Sequence, residues 1–166
     1  TMHASQAMAV KIVNPGGINA FKFNQRKLDL DDNNSFYNLS PRKILKVLAR
    51  SLHELGVPHP LHVHGCNLGV PGNVHTTLDT IEAMAGLPIH LTHVQFHSYG
   101  TEGDRKFSSG AVHIAEALNK HKNISLDVGQ IMFGQTVTAS GDTMMQHSGS
   151  EHAHPNKWVC MDIECD

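Results

Sequence analysis

Apolar positions along the chain alternate between two spacings. Short β-branched runs centre near residues 10, 61, 90, 125 and 160, each bounded by glycine, proline or polar residues. Such runs read as strands. Helical spacing fills the intervals. Ser40-Pro41 opens the first helix, with serine suited to the N-cap and proline to the first helical position. Ile44, Leu45, Leu48, Leu52 and Leu55 form its expected buried face, and Gly56 with Pro58 ends it. Asn73 is placed to cap a second helix over 74–85, closed by Gly86. The spacing predicts a third over about 109–121, with Val112, Ala115 and Leu118 inward. Residues 2–9 read as the last turns of a helix, so the chain is expected to be an internal piece of a longer one.

Strand and helix in strict alternation predict βαβ units and a parallel sheet, either open and doubly wound or closed as a (β/α)8 barrel. No Gly-x-Gly-x-x-Gly follows a strand and opens a helix. That lowers the dinucleotide-binding reading and leaves the TIM-like α/β barrel ahead. The loops are 18–39, with Asp29, Asp31 and Asp32; 65–72, rich in glycine; 95–108; and 129–156. Loops this long in compact domains tend to carry function.

Charge and cysteine content narrow the classes. Thirteen basic and fifteen acidic residues in 166 give a net charge of −2, so there is no basic face for nucleic acid, and small molecules or protein partners are expected. No apolar run approaches the roughly 18 residues of a membrane span, and a cytoplasmic location is expected. Cys66, Cys160 and Cys165 form no Cys-x-x-Cys pair and are read as reduced. The one excess is histidine, at fourteen.

In a parallel barrel the carboxyl ends of the strands meet around one mouth. Three consecutive strands bring Lys11, His64 and His93 there. Imidazole suits zinc and related ions. A lysine in an apolar strand has a desolvation incentive to lose its charge, although alone it reads as a strand-edge lysine reaching water. His62 shares a face with His64 and reads as its support, whereas His90, two-residue alternation placing it opposite His93, reads as structural. Asn67, His75, His97 and Gln130 lie where a polar substrate would be positioned. His113 and His121 suit exposed or helix-end roles, and His147, His152 and His154 a solvated loop. The alternate acidic groups of 162–166 would line the cleft or meet a partner subunit.

The strand lysine followed by Val63-His64-Gly65 and Thr92-His93 resembles the amidohydrolase superfamily. Within it, Lys11-Ile12-Val13-Asn14-Pro15-Gly16-Gly17, His62-Val63-His64-Gly65-Cys66-Asn67-Leu68-Gly69 and Asp127-Val128-Gly129-Gln130 resemble the amidohydrolase-like A component of formylmethanofuran dehydrogenases and of bacterial formyltransferase/hydrolase complexes. The resemblance implies a single partial barrel domain over 1–166, from about strand four to strand seven or eight. It implies that Lys11 is carbamylated and bridges two zinc ions, with His64 and His93 as ligands ending strands five and six. The family's strand-one His-x-His and strand-eight aspartate have no counterpart here. The implied reaction is hydrolysis of the formamide of N-formylmethanofuran to formate and methanofuran, or its reverse, beside the other subunits of the complex, including a molybdenum or tungsten redox subunit in the dehydrogenase. Two other readings use the same residues: an amidohydrolase for a cyclic amide or urea-like substrate, and a non-catalytic scaffold subunit.

Overall fold

The computed structural model describes residues 2–13, 15, 28–34, 37–103 and 108–129, together with the strands at 136–140 and 158–162. After a short helix α1 (Met2–Ser5) come β1 (Lys11–Val13), α2 (Pro41–Glu54), β2 (Leu61–His64), α3 (Val74–Ala83) and β3 (Ile89–Leu91). A 3-10 turn (Val94–His97) leads to α4 (Ala111–Lys120) and β4 (Ile124–Leu126). β1 to β4 form one parallel sheet in sequential order. Lys11, His62, His90 and Ser125 are aligned in one row across it.

Strand alternation divides this sheet into unlike faces. Leu61, Val63, Ile89, Leu91 and Ile124 pack with Leu45, Ala49, Leu52, Val74, Ile81, Met84 and Ile114 from the helices to make the core. The other face carries Lys11, Val13, His62, His64, His90 and Ser125. Polar side chains on that face put any chemistry opposite the apolar core.

The first long helix follows its sequence signals. Ser40 accepts a hydrogen bond from the Lys43 N–H, Pro41 takes the first turn, and Leu45, Ala49 and Leu52 face the core. Leu55, expected inside, is 78 % exposed, because the helix has already ended and Gly56 turns the chain with φ +66°. In α4 the inward stripe is Ile114 with Ala117 and Leu118, an i, i+3, i+4 set, and Val112 is 67 % exposed. Asn73 stands at the N-cap of α3 but makes no capping bond with its side chain.

The fifth strand departs from the expected alternation. Trp158–Asp162 (β6) pairs antiparallel with Thr136–Ser140 (β5), inside the stretch read as loop, and these two form a separate sheet. The parallel sheet thus has four strands among the described residues. No helix among them is long and apolar enough to cross a membrane.

Candidate metal centre

β2 ends on His64, which is 8 % exposed. β3 stops at Leu91, two residues before His93. The register sets Leu61 beside Ile89, His62 beside His90 and Val63 beside Leu91. Continued alternation would then place His93 with Leu91, on the core face. Instead His93 adopts a left-handed conformation, φ 40° and ψ 50°, and its ring swings to His64, 4.5 Å between centroids. The same turn starts the 3-10 segment, which returns His97 to within 5.5 Å of His93 and 5.3 Å of His64. Sequence periodicity placed His97 only in a loop.

One ring nitrogen from each of His64, His93 and His97 lies within 4.8 Å of the others. His97 Nδ1 meets the Cys66 carbonyl at 3.3 Å. A carbonyl only accepts, so Nδ1 carries the proton and Nε2 keeps its lone pair. His97 Nε2 and His93 Nδ1 are buried with no hydrogen-bond partner among the described residues. Buried lone-pair nitrogens gathered in this way fit a divalent metal of the zinc type. Gly65 allows the approach: a Cβ there would sit 3.3 Å from His97 Nδ1.

Burial also selects the protonation state that ligation needs. Desolvation pushes His64 down to about 3, helped by the charges of His97, His93 and Lys11. His97 falls to about 4, through desolvation and then His93, against the opposing Cys66 bond. Desolvation lowers His93 too, with the Lys11 charge adding to it. A histidine kept neutral by the fold contributes stability that is complete above its ordinary value of about 6.5 and is lost as pH falls towards the depressed one. The metal-free full-length subunit should therefore lose stability below about pH 6.5, by roughly 1.4 kcal/mol per pH unit for each such histidine. Denaturant midpoints at pH 7.5 and 5.0 test this. Equal midpoints would show that the rings do not enter the fold neutral.

Lys11 lies one strand away, in register with His62. Its charge reaches His62, His64 and His93, lowering all three. The burial expected of it is absent among the described residues, since β1 is the outer strand and Lys11 is exposed. His62 leans on His90, with ring centroids 4.8 Å apart. His90 Nδ1 is 2.9 Å from Ser125 Oγ, and its Nε2 is 3.0 Å from Asp127 Oδ2. The other oxygen of Asp127 accepts the His93 backbone N–H. That contact joins residues far apart in sequence, and only the position of Asp127 just past a strand hinted at it.

No protein-family model matches the chain. The FhcA component of the formyltransferase/hydrolase complex from Methylorubrum extorquens is 45 % identical over 164 residues, 96 % of this chain and 30 % of its own length. The chain is homologous to FhcA. Protein FwdA of Methanocaldococcus jannaschii is also homologous, 37 % identical over 99 % of this chain and 31 % of its own length. The crystal structure of the Methylorubrum extorquens FhcABCD complex with methylofuran matches with a TM-score of 0.76 and 42 % identity, covering 95 % of this chain and 30 % of that one. The chain thus spans about 30 % of the length of FhcA.

Among the described residues, the remaining expected residues take different places. The buried Asn67 side chain accepts from Leu28 N–H at 3.0 Å and donates to Thr76 Oγ1 at 3.0 Å and Asp29 Oδ1 at 3.4 Å. It ties the loop after β2 to the segment at 28–34. Asn73 donates to the carbonyls of Asn67 and Phe96 and accepts from the Tyr99 N–H, which explains its missing cap. His75 and His113 are exposed, and His121 pairs with Glu82 at 3.0 Å. Gln130, His147, His152 and His154 lie outside the described residues, as do the acidic side chains of 162–166.

Proposed function

We propose that the chain is the metal-holding segment of an amidohydrolase-type subunit that hydrolyses the formamide of N-formylmethanofuran, or forms it in reverse, within a formyltransferase/hydrolase or formylmethanofuran dehydrogenase complex. The observation that carries this reading is the convergence of His64, His93 and His97 at the ends of adjacent parallel strands, with Lys11 in the neighbouring strand. The methylofuran held by the complex of a homologue supports a methanofuran-type carrier as the substrate class. Parallel strands in sequential order, with helices packed on their apolar face, are what a (β/α)8 barrel is built from, and support that architecture for the whole subunit.

In this proposal His64, His93 and a carbamate on Lys11 would hold two zinc ions, and His97 would complete the imidazole group or meet the substrate. When bound, such ions supply Lewis acidity, polarising a carbonyl and lowering the pKa of water. The chain's own contribution is to present neutral imidazoles and exclude water from their far side. His64 and His97 are kept unprotonated by burial. Water adds to the formyl carbon, the C–N bond breaks, and the amine leaves with a proton, giving formate. Substrate contacts fall to the loops at the strand ends, Gln130 among them, whereas Asn67 holds the loop after β2 against the segment at 28–34.

Formate release from N-formylmethanofuran by the full-length subunit in its complex tests the reading. Chelation should abolish turnover and zinc restore it. Turnover that survives complete metal removal, or a preference for a cyclic amide or urea, would overturn it.

A further inference from the structure

His93 occupies a left-handed backbone conformation, φ 40°, that a residue with a Cβ rarely enters. The geometry points to Asp127 as the positioning residue that holds it there, and so aims the His93 ring at His64 and His97. The inference rests on the metal-holding reading above.

Asp127 follows β4, next to the point where β3 gives way to the turn. Its backbone N–H donates to the Leu91 carbonyl at 3.0 Å, and its own carbonyl accepts from Val94 N–H at 3.1 Å. Between these, the carboxylate takes the His93 N–H on Oδ1. Three bonds from one residue therefore bracket the left-handed position. The alternative path for the chain is continued strand, which would leave the His93 ring on the apolar face with Leu91, away from His64.

The second carboxylate oxygen fixes the first. Oδ2 lies 3.0 Å from His90 Nε2, and His90 Nδ1 lies 2.9 Å from Ser125 Oγ. An ionised carboxylate only accepts, so Nε2 carries the His90 proton and the Ser125 hydroxyl donates to Nδ1. Every donor in the set has one direction. The carboxylate is thereby locked in rotation, with Oδ1 facing the His93 N–H. The bonds from His93 and His90 also hold the Asp127 carboxyl below the usual carboxylate range.

An asparagine at this position keeps the arrangement. Its carbonyl oxygen still accepts from His93 N–H, and its amide donates to His90 Nε2 once the imidazole proton moves to Nδ1, where Ser125 Oγ accepts it. Alanine keeps neither bond. The test uses the metal-free full-length subunit in its complex, titrated with Zn(II) against a competing chelator and with Co(II) for its visible absorption. Asp127→Ala should weaken Zn(II) binding about 10–100-fold and shift the Co(II) band. Asp127→Asn should match the parent in both. Asp127→Ser, too short to reach both donors, replaces the alanine variant if that fails to fold.

Parent-like affinity and spectrum in Asp127→Ala would overturn the positioning role while leaving the metal-holding reading intact. Loss of affinity in Asp127→Asn equal to that in Asp127→Ala would also overturn it, by assigning the effect to charge. A parent subunit that takes up neither ion would overturn the metal-holding reading, and this inference with it.

Discussion

Lys11→Ala in the full-length subunit should lose metal and activity together. Turnover is expected to fall to the chelator-stripped background, at least about 10³-fold below the parent. Among the described residues the Lys11 side chain takes no part in the apolar core, so loss of metal is expected without loss of the fold. That separation makes the variant informative. Lys11→Arg sharpens it: the guanidinium keeps the positive charge near His64 and His93 but cannot carry the carbamate. If Lys11 acts only as a charge, arginine should restore much of the activity. If it acts as a carbamate ligand, both variants should be inactive and short of metal by elemental analysis. Undiminished zinc in Lys11→Ala would end the carbamate hypothesis.

The second large effect is on stability. Asn73 is 0 % exposed and makes hydrogen bonds of 2.9, 2.8 and 2.9 Å to Asn67 O, Phe96 O and Tyr99 N. One side chain thus joins the loop after β2 to the segment after the 3-10 turn. Asn73→Ala leaves these backbone groups without that partner in a buried setting. Asn67 O and Phe96 O still accept from Val70 N–H and Gly69 N–H, so the loss is that of three side-chain bonds at about 0.5–1.5 kcal/mol each, and about 2–4 kcal/mol is expected from denaturant unfolding of the full-length subunit. Asn73→Asp keeps the acceptor for Tyr99 N–H but loses both donors, and should be comparably damaging. A loss below about 1 kcal/mol for alanine would show that water or backbone movement replaces the bonds.

The parallel sheet and its three long helices were legible because they depend on local signals: a proline after a capping serine, glycines past helix ends, β-branched runs between them. Errors came where that locality failed. Leu55 continued the apolar pattern of α2 beyond the point at which Gly56 stops the helix, while the small Ala49, easily overlooked in the pattern, is buried. Asn73 had the right residue type for a cap and was claimed instead by the carbonyls of Asn67 and of Phe96, the latter distant in sequence. His64 followed directly from strand alternation. His93 was expected beside it as the end of the next strand, but alternation stops applying at a left-handed residue, and with that turn went the clue that His97 belongs to the same group. The β5–β6 pair was half seen: one strand carries a tryptophan, a valine and a methionine, whereas its partner, Thr-Val-Thr-Ala-Ser, has Val137 as its one large apolar residue and lies in a stretch read whole as loop.

The left-handed turn at His93 sets chemistry and folding in opposition at a single position. Backbone sterics favour glycine there, with asparagine next, and neither supplies an imidazole. Selection for thermal resistance alone would drift towards glycine and empty the site, whereas selection for turnover must retain a residue the backbone disfavours. On the metal-holding proposal, the protein would carry a trade between robustness and activity, localised at one histidine and eased by the hydrogen bonds around it.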